Sequence, residues 1–176
     1  MARSYFTALV PVEAGREEAL RKTLADLGTD TASPFQRVPG THMARLYVLD
    51  HYGGSRLGPL SHRDLTPALL VLTAVVDGAP AAWADRLADA IGPAIEAIWS
   101  HCTGFPGVGV GVGSAFGGWL QAHEVAPSFS ILPQQTTVES VRRGLDARAR
   151  LGELAARVQG AAPAVVRAAY RQAFDR

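Results

Sequence analysis

The sequence predicts an α+β fold in which one antiparallel sheet, built in the order βαββαβ, carries helices on a single face and is followed by C-terminal helices. Three observations support that prediction. Residues 5–12 and 68–76 are runs that are apolar on both faces, as in strands covered from each side. Residues 42–50 alternate instead: Ala44, Leu46 and Val48 point one way, and Met43, Arg45, Tyr47 and Leu49 the other. Between Trp83 and Cys102 the apolar residues recur at three- and four-residue steps, the period of a helix lying on a core.

The remaining elements follow in order. After the first strand, residues 16–27 place Ala19, Leu20, Thr23, Leu24 and Leu27 on one helical face, and Gly28 stops the helix. Residues 29–40, with their prolines, serine and glycine, read as a loop. The second strand is 42–50. The stretch 51–67 holds Gly53, Gly54, Gly58, Pro59 and Pro67, and reads as a long loop of the kind that edges a binding site. The third strand closes at Asp77-Gly78. In the second helix Asp85, Arg86, Asp89 and Glu96 lie opposite the apolar stripe, and Gly92-Pro93 predicts a kink or a break. The glycine-rich segment 107–118 reads as a mobile lid or a hairpin tip, because closely spaced glycines leave the backbone loose. Residues 119–132 supply a fourth strand, at least part of which Pro127 confines to an edge or a bulge. Thr136 and Glu139 have the spacing of a capping box that opens a helix through Gln159, and residues 164–174 make a last short helix.

Composition narrows the function classes. A chain of 176 residues, 48% hydrophobic, suffices for one well-filled core and is too short for two ordinary domains. A formal charge of +1 leaves no general electrostatic case for nucleic acid or an acidic membrane. The single cysteine excludes an intramolecular disulfide. No window approaches the roughly 20 apolar residues of a membrane span, and the N-terminal apolar run reads as a strand rather than a leader, so the expected location is cytoplasmic.

The order of elements is that of the ferredoxin-like fold, with the first and third strands central and the second and fourth at the edges. With that order the chain resembles the dimeric α+β barrel superfamily, whose members cover the open sheet face with a second copy. That superfamily includes antibiotic-biosynthesis monooxygenases, polyketide cyclases, muconolactone isomerases, chlorite dismutases and dye-decolourising peroxidases, a breadth that makes fold a poor guide to chemistry. More narrowly, THMARLYVLD, the strand ending in Asp77-Gly78, and AIWSHCTGFPG resemble landmarks of a little-described bacterial group with an HC-x-G-[FY]-P motif after the second helix. That group carries a polar strand end before Asp-Gly and aromatic residues where this chain has Ser130 and Leu132; here the strand ends Ala74-Val75-Val76. The resemblance implies a homodimer handling a small molecule.

Several motifs carry little. GVGVGVG lacks the Lys-Ser/Thr of a P-loop and follows a helix, the wrong context for phosphate. His62-Arg63-Asp64 echoes a kinase catalytic loop without any other kinase element. His101 and Cys102 diverge on a helix and are no nucleophile–base pair; Cys102 falls on the apolar stripe as a core residue. The five histidines show no metal-ligand spacing, so no metal site is expected. His101, ending the second helix, and His123, beside the fourth strand, are the candidates to share a cavity and move a proton near neutral pH. Arg45 and Tyr47, on the mixed face of the second strand, would orient an oxygen anion or enolate. The expected function is a cofactor-independent cyclase or isomerase of an apolar, oxygen-bearing metabolite, with His101, His123, Arg45 and Tyr47 as its site. One alternative is a haem protein with His101 or His123 as axial ligand. The other is a non-catalytic ligand-binding module. A small-molecule ligand and a second copy are the expected partners.

Overall fold

The structure is a computed structural model, and it describes residues 3–28, 33–53, 62–108, 113–126 and 136–174. Its class is α+β, with a three-stranded antiparallel sheet and five α-helices among the described residues. The strands are β1 (Arg3–Pro11), β2 (Thr41–Gly53) and β3 (His62–Asp77), in the order β1-β3-β2. The helices are α1 (Glu17–Asp26), α2 (Pro80–Trp99), α3 (Gly113–Ala122), α4 (Val138–Arg157) and α5 (Pro163–Phe174), with a 3₁₀ turn at Pro34–Arg37. The chain divides into two compact units, Met1–Gln135 and Thr136–Arg176.

Strand alternation sorts the sheet into a buried and an open face. Phe6, Ala8 and Val10 of β1 and Leu70, Leu72, Ala74 and Val76 of β3 are buried, with Ala44, Leu46 and Val48 of β2 packed beside them. Against this face α2 lays Trp83, Leu87, Ile91, Ile95 and Ile98, all buried. Each such side chain stabilises the fold by about 1.5–3 kcal/mol relative to an exposed one. α2 kinks where the sequence expects it. Pro93 lies inside the helix and Ile91 leaves helical geometry, at φ −139° and ψ 31°. Trp83 is the pivot of this core: its ring centroid lies 5.7 Å from that of Phe6, and its Nε1 donates to Thr41 Oγ1 at 2.8 Å.

The expected loop at 51–67 is largely strand. β2 runs to Gly53 and β3 begins at His62, with His51 opposite Asp64. The register shifts between Leu49 and His51, so that residues 65–68 of β3 stand opposite Asp50 alone. Pro67 sits in that bulge, where its missing N–H breaks no ladder bond; glycine and proline read as loop signals hid the strand. Residues 54–61 lie outside the described residues.

Residues 119–132 are also corrected, because the chain is helical through Ala122. Phe116 and Leu120, four residues apart and fully buried, hold α3 against the core, which outweighs the poor helix propensity of its glycines. The lid expected over 107–118 is therefore helix from Gly113 onward, and 109–112 lie outside the described residues. What remains of the fourth strand is short: Leu9 N donates to His123 O at 3.1 Å and Val125 N to Thr7 O at 2.8 Å, around a bridge between Ala8 and Glu124. Residues 127–135 are not described. Further along, Thr103 N donates to Pro11 O and Glu13 N donates to His101 O, each at 2.9 Å. The outer side of β1, expected to be central, thus takes two short separate segments and is an edge of the three-stranded sheet.

One glycine is dictated by packing. A Cβ on Gly117 would lie 2.1 Å from Asp85 Oδ1 and 3.1 Å from the Asp85 main chain, whereas one on Gly118 would meet nothing within 4 Å. Gly117→Ala is expected to lower stability by about 1–3 kcal/mol through overpacking of α3 on α2. Gly118→Ala is expected to raise it by about 0.5–1 kcal/mol. Paired denaturant melts read both, and equal effects at the two positions would refute the close approach.

The second unit is a helical pair. Thr137 caps α4 by accepting from Ser140 N at 3.1 Å, so the cap falls one residue later than the expected box and Glu139 is not its reciprocal partner. Leu154 is buried, while Val141, Leu145, Leu151, Val165 and Tyr170 are exposed.

Candidate functional site

The residues singled out by sequence fall in three separate places. His101 ends α2 beside α1, its Nε2 lying 3.4 Å from Thr23 Oγ1. Its Nδ1 is buried without a hydrogen-bond partner among the described residues. Burial, then the Arg16 charge, lowers its pKa, so the ring is neutral at pH 7. His123 ends α3, its Nδ1 held 2.9 Å from Trp119 O and its ring 4.9 Å from the Trp119 ring. The main chains of these two histidines bond to Glu13 and Leu9, four residues apart along an extended chain, hence about 13 Å. They do not form one constellation.

Arg45 and Tyr47 project from the open face. The register puts Arg45 in a row with Thr73 and Thr7, and Tyr47 in a row with Val71 and Leu9. Tyr47 is 42% exposed. His123 is bonded to Leu9, so about three strand spacings of 4.8 Å separate it from Tyr47.

A histidine that sequence reasoning passed over does meet a carboxylate. His42 Nε2 lies 2.8 Å from Asp77 Oδ1, with only 13% and 12% of the two side chains exposed. The hairpin makes this pair, since the start of β2 runs beside the end of β3. Arg3 Nε lies 3.0 Å from the same His42 nitrogen. One nitrogen cannot donate to Asp77 and accept from Arg3 at once, so the position of a single proton decides which neighbour His42 bonds. The only sequence signal was His42 at one end of an alternating strand and Asp77 at the end of the next, and it becomes legible once the hairpin register is known.

His42 also lines a cavity of about 560 Å³ on the helical side of the sheet, beside β2. One wall is Thr41, His42, Met43, Ala44, Arg45 and Leu46; the facing wall is Leu24, Leu27 and Gly28 at the end of α1 with Ser33 to Gln36; Ile98 of α2 also lines it. The volume is that of a small-molecule site, and its surface is mostly apolar with few polar groups. Asp77, which holds the His42 ring, lies outside the lining.

Neither His101 nor His123, the expected axial ligands of a haem, lines this cavity; the Trp119 carbonyl holds His123 Nδ1, which leaves Nε2 as that ring's ligand nitrogen. Among the described residues no group of three or more His, Cys, Asp or Glu is placed to hold a metal ion.

Fold and site together define an α+β protein with one helical cover and an apolar groove bordered by His42, which pairs with Asp77 outside it. No family model matches this sequence, and comparison with curated proteins and with solved structures gives no match. No helix among the described residues is long and apolar enough to cross a membrane.

Proposed function

We propose that this chain binds an apolar, oxygen-bearing small molecule in the groove beside β2 and moves a proton on it without a cofactor, as an isomerase or cyclase does. The observation that supports this is the meeting of His42, Asp77 and the groove. His42 is the group that exchanges the proton, and Asp77 positions the ring. This keeps the reaction class expected from sequence and moves it from His101 and His123 to His42. Arg45 and Tyr47, which project from the open face, take no part in this reading.

The test uses benzoylacetone, an apolar enolisable diketone, and follows deuterium entering its central carbon by NMR. The native chain is expected to exchange it faster than His42→Gln by about 10²-fold, with Asp77→Asn between them. Equal rates in the native and His42→Gln proteins, at equal melting temperature, would sink the reading.

The fold proposal that accompanies it is ferredoxin-like, residues 123–125 marking the fourth position beside β1. A second copy then covers the open face, where Met43 and Tyr47 are 46% and 42% exposed. Light scattering is expected to give twice 18.6 kDa. A clean 18.6 kDa species would remove the second copy but leave the groove chemistry standing.

A further inference from the structure

The groove has a feature that an ordinary pocket lacks. Six consecutive residues of one strand, Thr41 to Leu46, line it. Side chains of consecutive strand residues point to opposite faces, so these six cannot all reach the cavity by their side chains. What they share is the main-chain edge of β2. β2 is the last strand of the sheet; Thr41 N donates to Val38 O at 3.3 Å in the turn that enters it, and among the described residues no other main chain pairs with the outer edge from 42 to 46. An unpaired edge is a template for another extended chain, and folded proteins usually blunt it with prolines or charges. Here the edge run THMARL holds no proline and a single charge, Arg45, with one register shift between Thr41 and Met43. The facing wall, with Leu24, Leu27 and Phe35, stands where the alternate side chains of an added strand would go.

We propose that the groove takes an extended, amide-bearing chain, a short peptide or a linear peptide-like molecule, laid along β2 as an additional strand. Its amides bond to the main chain of 41–46, its apolar groups at every second position rest on the α1 and 3₁₀ wall, and one end lies at His42. About 20 Å of edge is available, the span of six extended residues. The inference rests on the reading of this groove as the binding site and names the kind of molecule bound there.

The experiment adds to the full-length chain a pool of blocked hexapeptides that alternate apolar and polar residues, and reads amide hydrogen exchange residue by residue. The expected result is slowing of alternate β2 amides within 41–46 by at least about tenfold, with no such slowing by the same pool N-methylated at alternate amides. No protection of β2, or equal protection by the N-methylated pool, would overturn the proposal. So would protection already present without peptide and rising with protein concentration, because the edge would then belong to a second copy. Failure here is separable from failure of the chemistry. Edge protection with no diketone exchange leaves strand addition and removes proton transfer, whereas exchange without protection does the reverse.

Discussion

Replacing Trp83 by alanine is expected to lower stability by about 3–5 kcal/mol, a large share of the 5–15 kcal/mol that holds a typical domain together. Trp83 is completely buried, its ring meets Phe6, and its indole N–H satisfies the Thr41 hydroxyl. The substitution therefore removes a large apolar surface, leaves a cavity between α2 and β1, and strands a partly buried oxygen at the start of β2. Trp83→Phe keeps most of the ring and loses the hydrogen bond, and is expected to cost about 1–3 kcal/mol. Denaturant melts give both numbers, the midpoint falling with little change in slope. A loss below about 1 kcal/mol for the alanine variant would show that the helix does not hang on this residue. Because Thr41 also lines the groove, the same variant should loosen that wall before the rest of the sheet.

The second expected result concerns the only cysteine. Cys102 is 2% exposed, and burial, with the Glu13 carboxylate adding to it, pushes its thiol up to about 12. The thiolate is the reactive form, so at pH 8 the folded chain offers about 10³-fold less of it than a free thiol, before steric exclusion is counted. An aromatic disulfide reagent at pH 8 is expected to label the native protein at least about 10³-fold more slowly than the denatured one. Labelling is expected to accelerate in Trp83→Ala in proportion to the population it unfolds. Fast labelling of the native chain would place Cys102 in an accessible, activated setting and reopen a nucleophilic role. The thiol's place on the apolar stripe, next to Trp99 and bridged through its main chain to Val12, is the reason for expecting inertness.

Much of the architecture was legible because periodicity records burial directly. The face of β2 that carries Ala44, Leu46 and Val48 and the opposite face with Met43, Arg45 and Tyr47 follow from alternation, and the α2 stripe and its kink follow from a 3.6-residue period broken by Gly92-Pro93. Cys102 as a core residue follows from the same stripe. Trp99 escaped notice although it is completely buried, because it lies one step off the stripe and is buried by α3, whose Phe116 ring is 5.4 Å away.

The sequence by itself determined which residues face the core and which helix and strands form it, since those depend on the local spacing of apolar side chains. It could not determine what depends on two distant segments meeting. Glycines between 107 and 118 read as a loose loop, yet α3 forms because Gly117 lets it approach Asp85 and because Phe116 and Leu120 find the core. Glycine and proline at 51–67 read as loop, yet a bulge lets both strands continue. The histidines that looked promising, His101 and His123, were chosen for their places along the chain, and the fold draws them apart. His42 drew no attention because a lone histidine beginning a strand has no local signature; its partner Asp77 lies 35 residues away and is brought beside it only by the hairpin register. Pairing is a long-range property, so the acid–base pair and the groove it borders exist only in the tertiary structure.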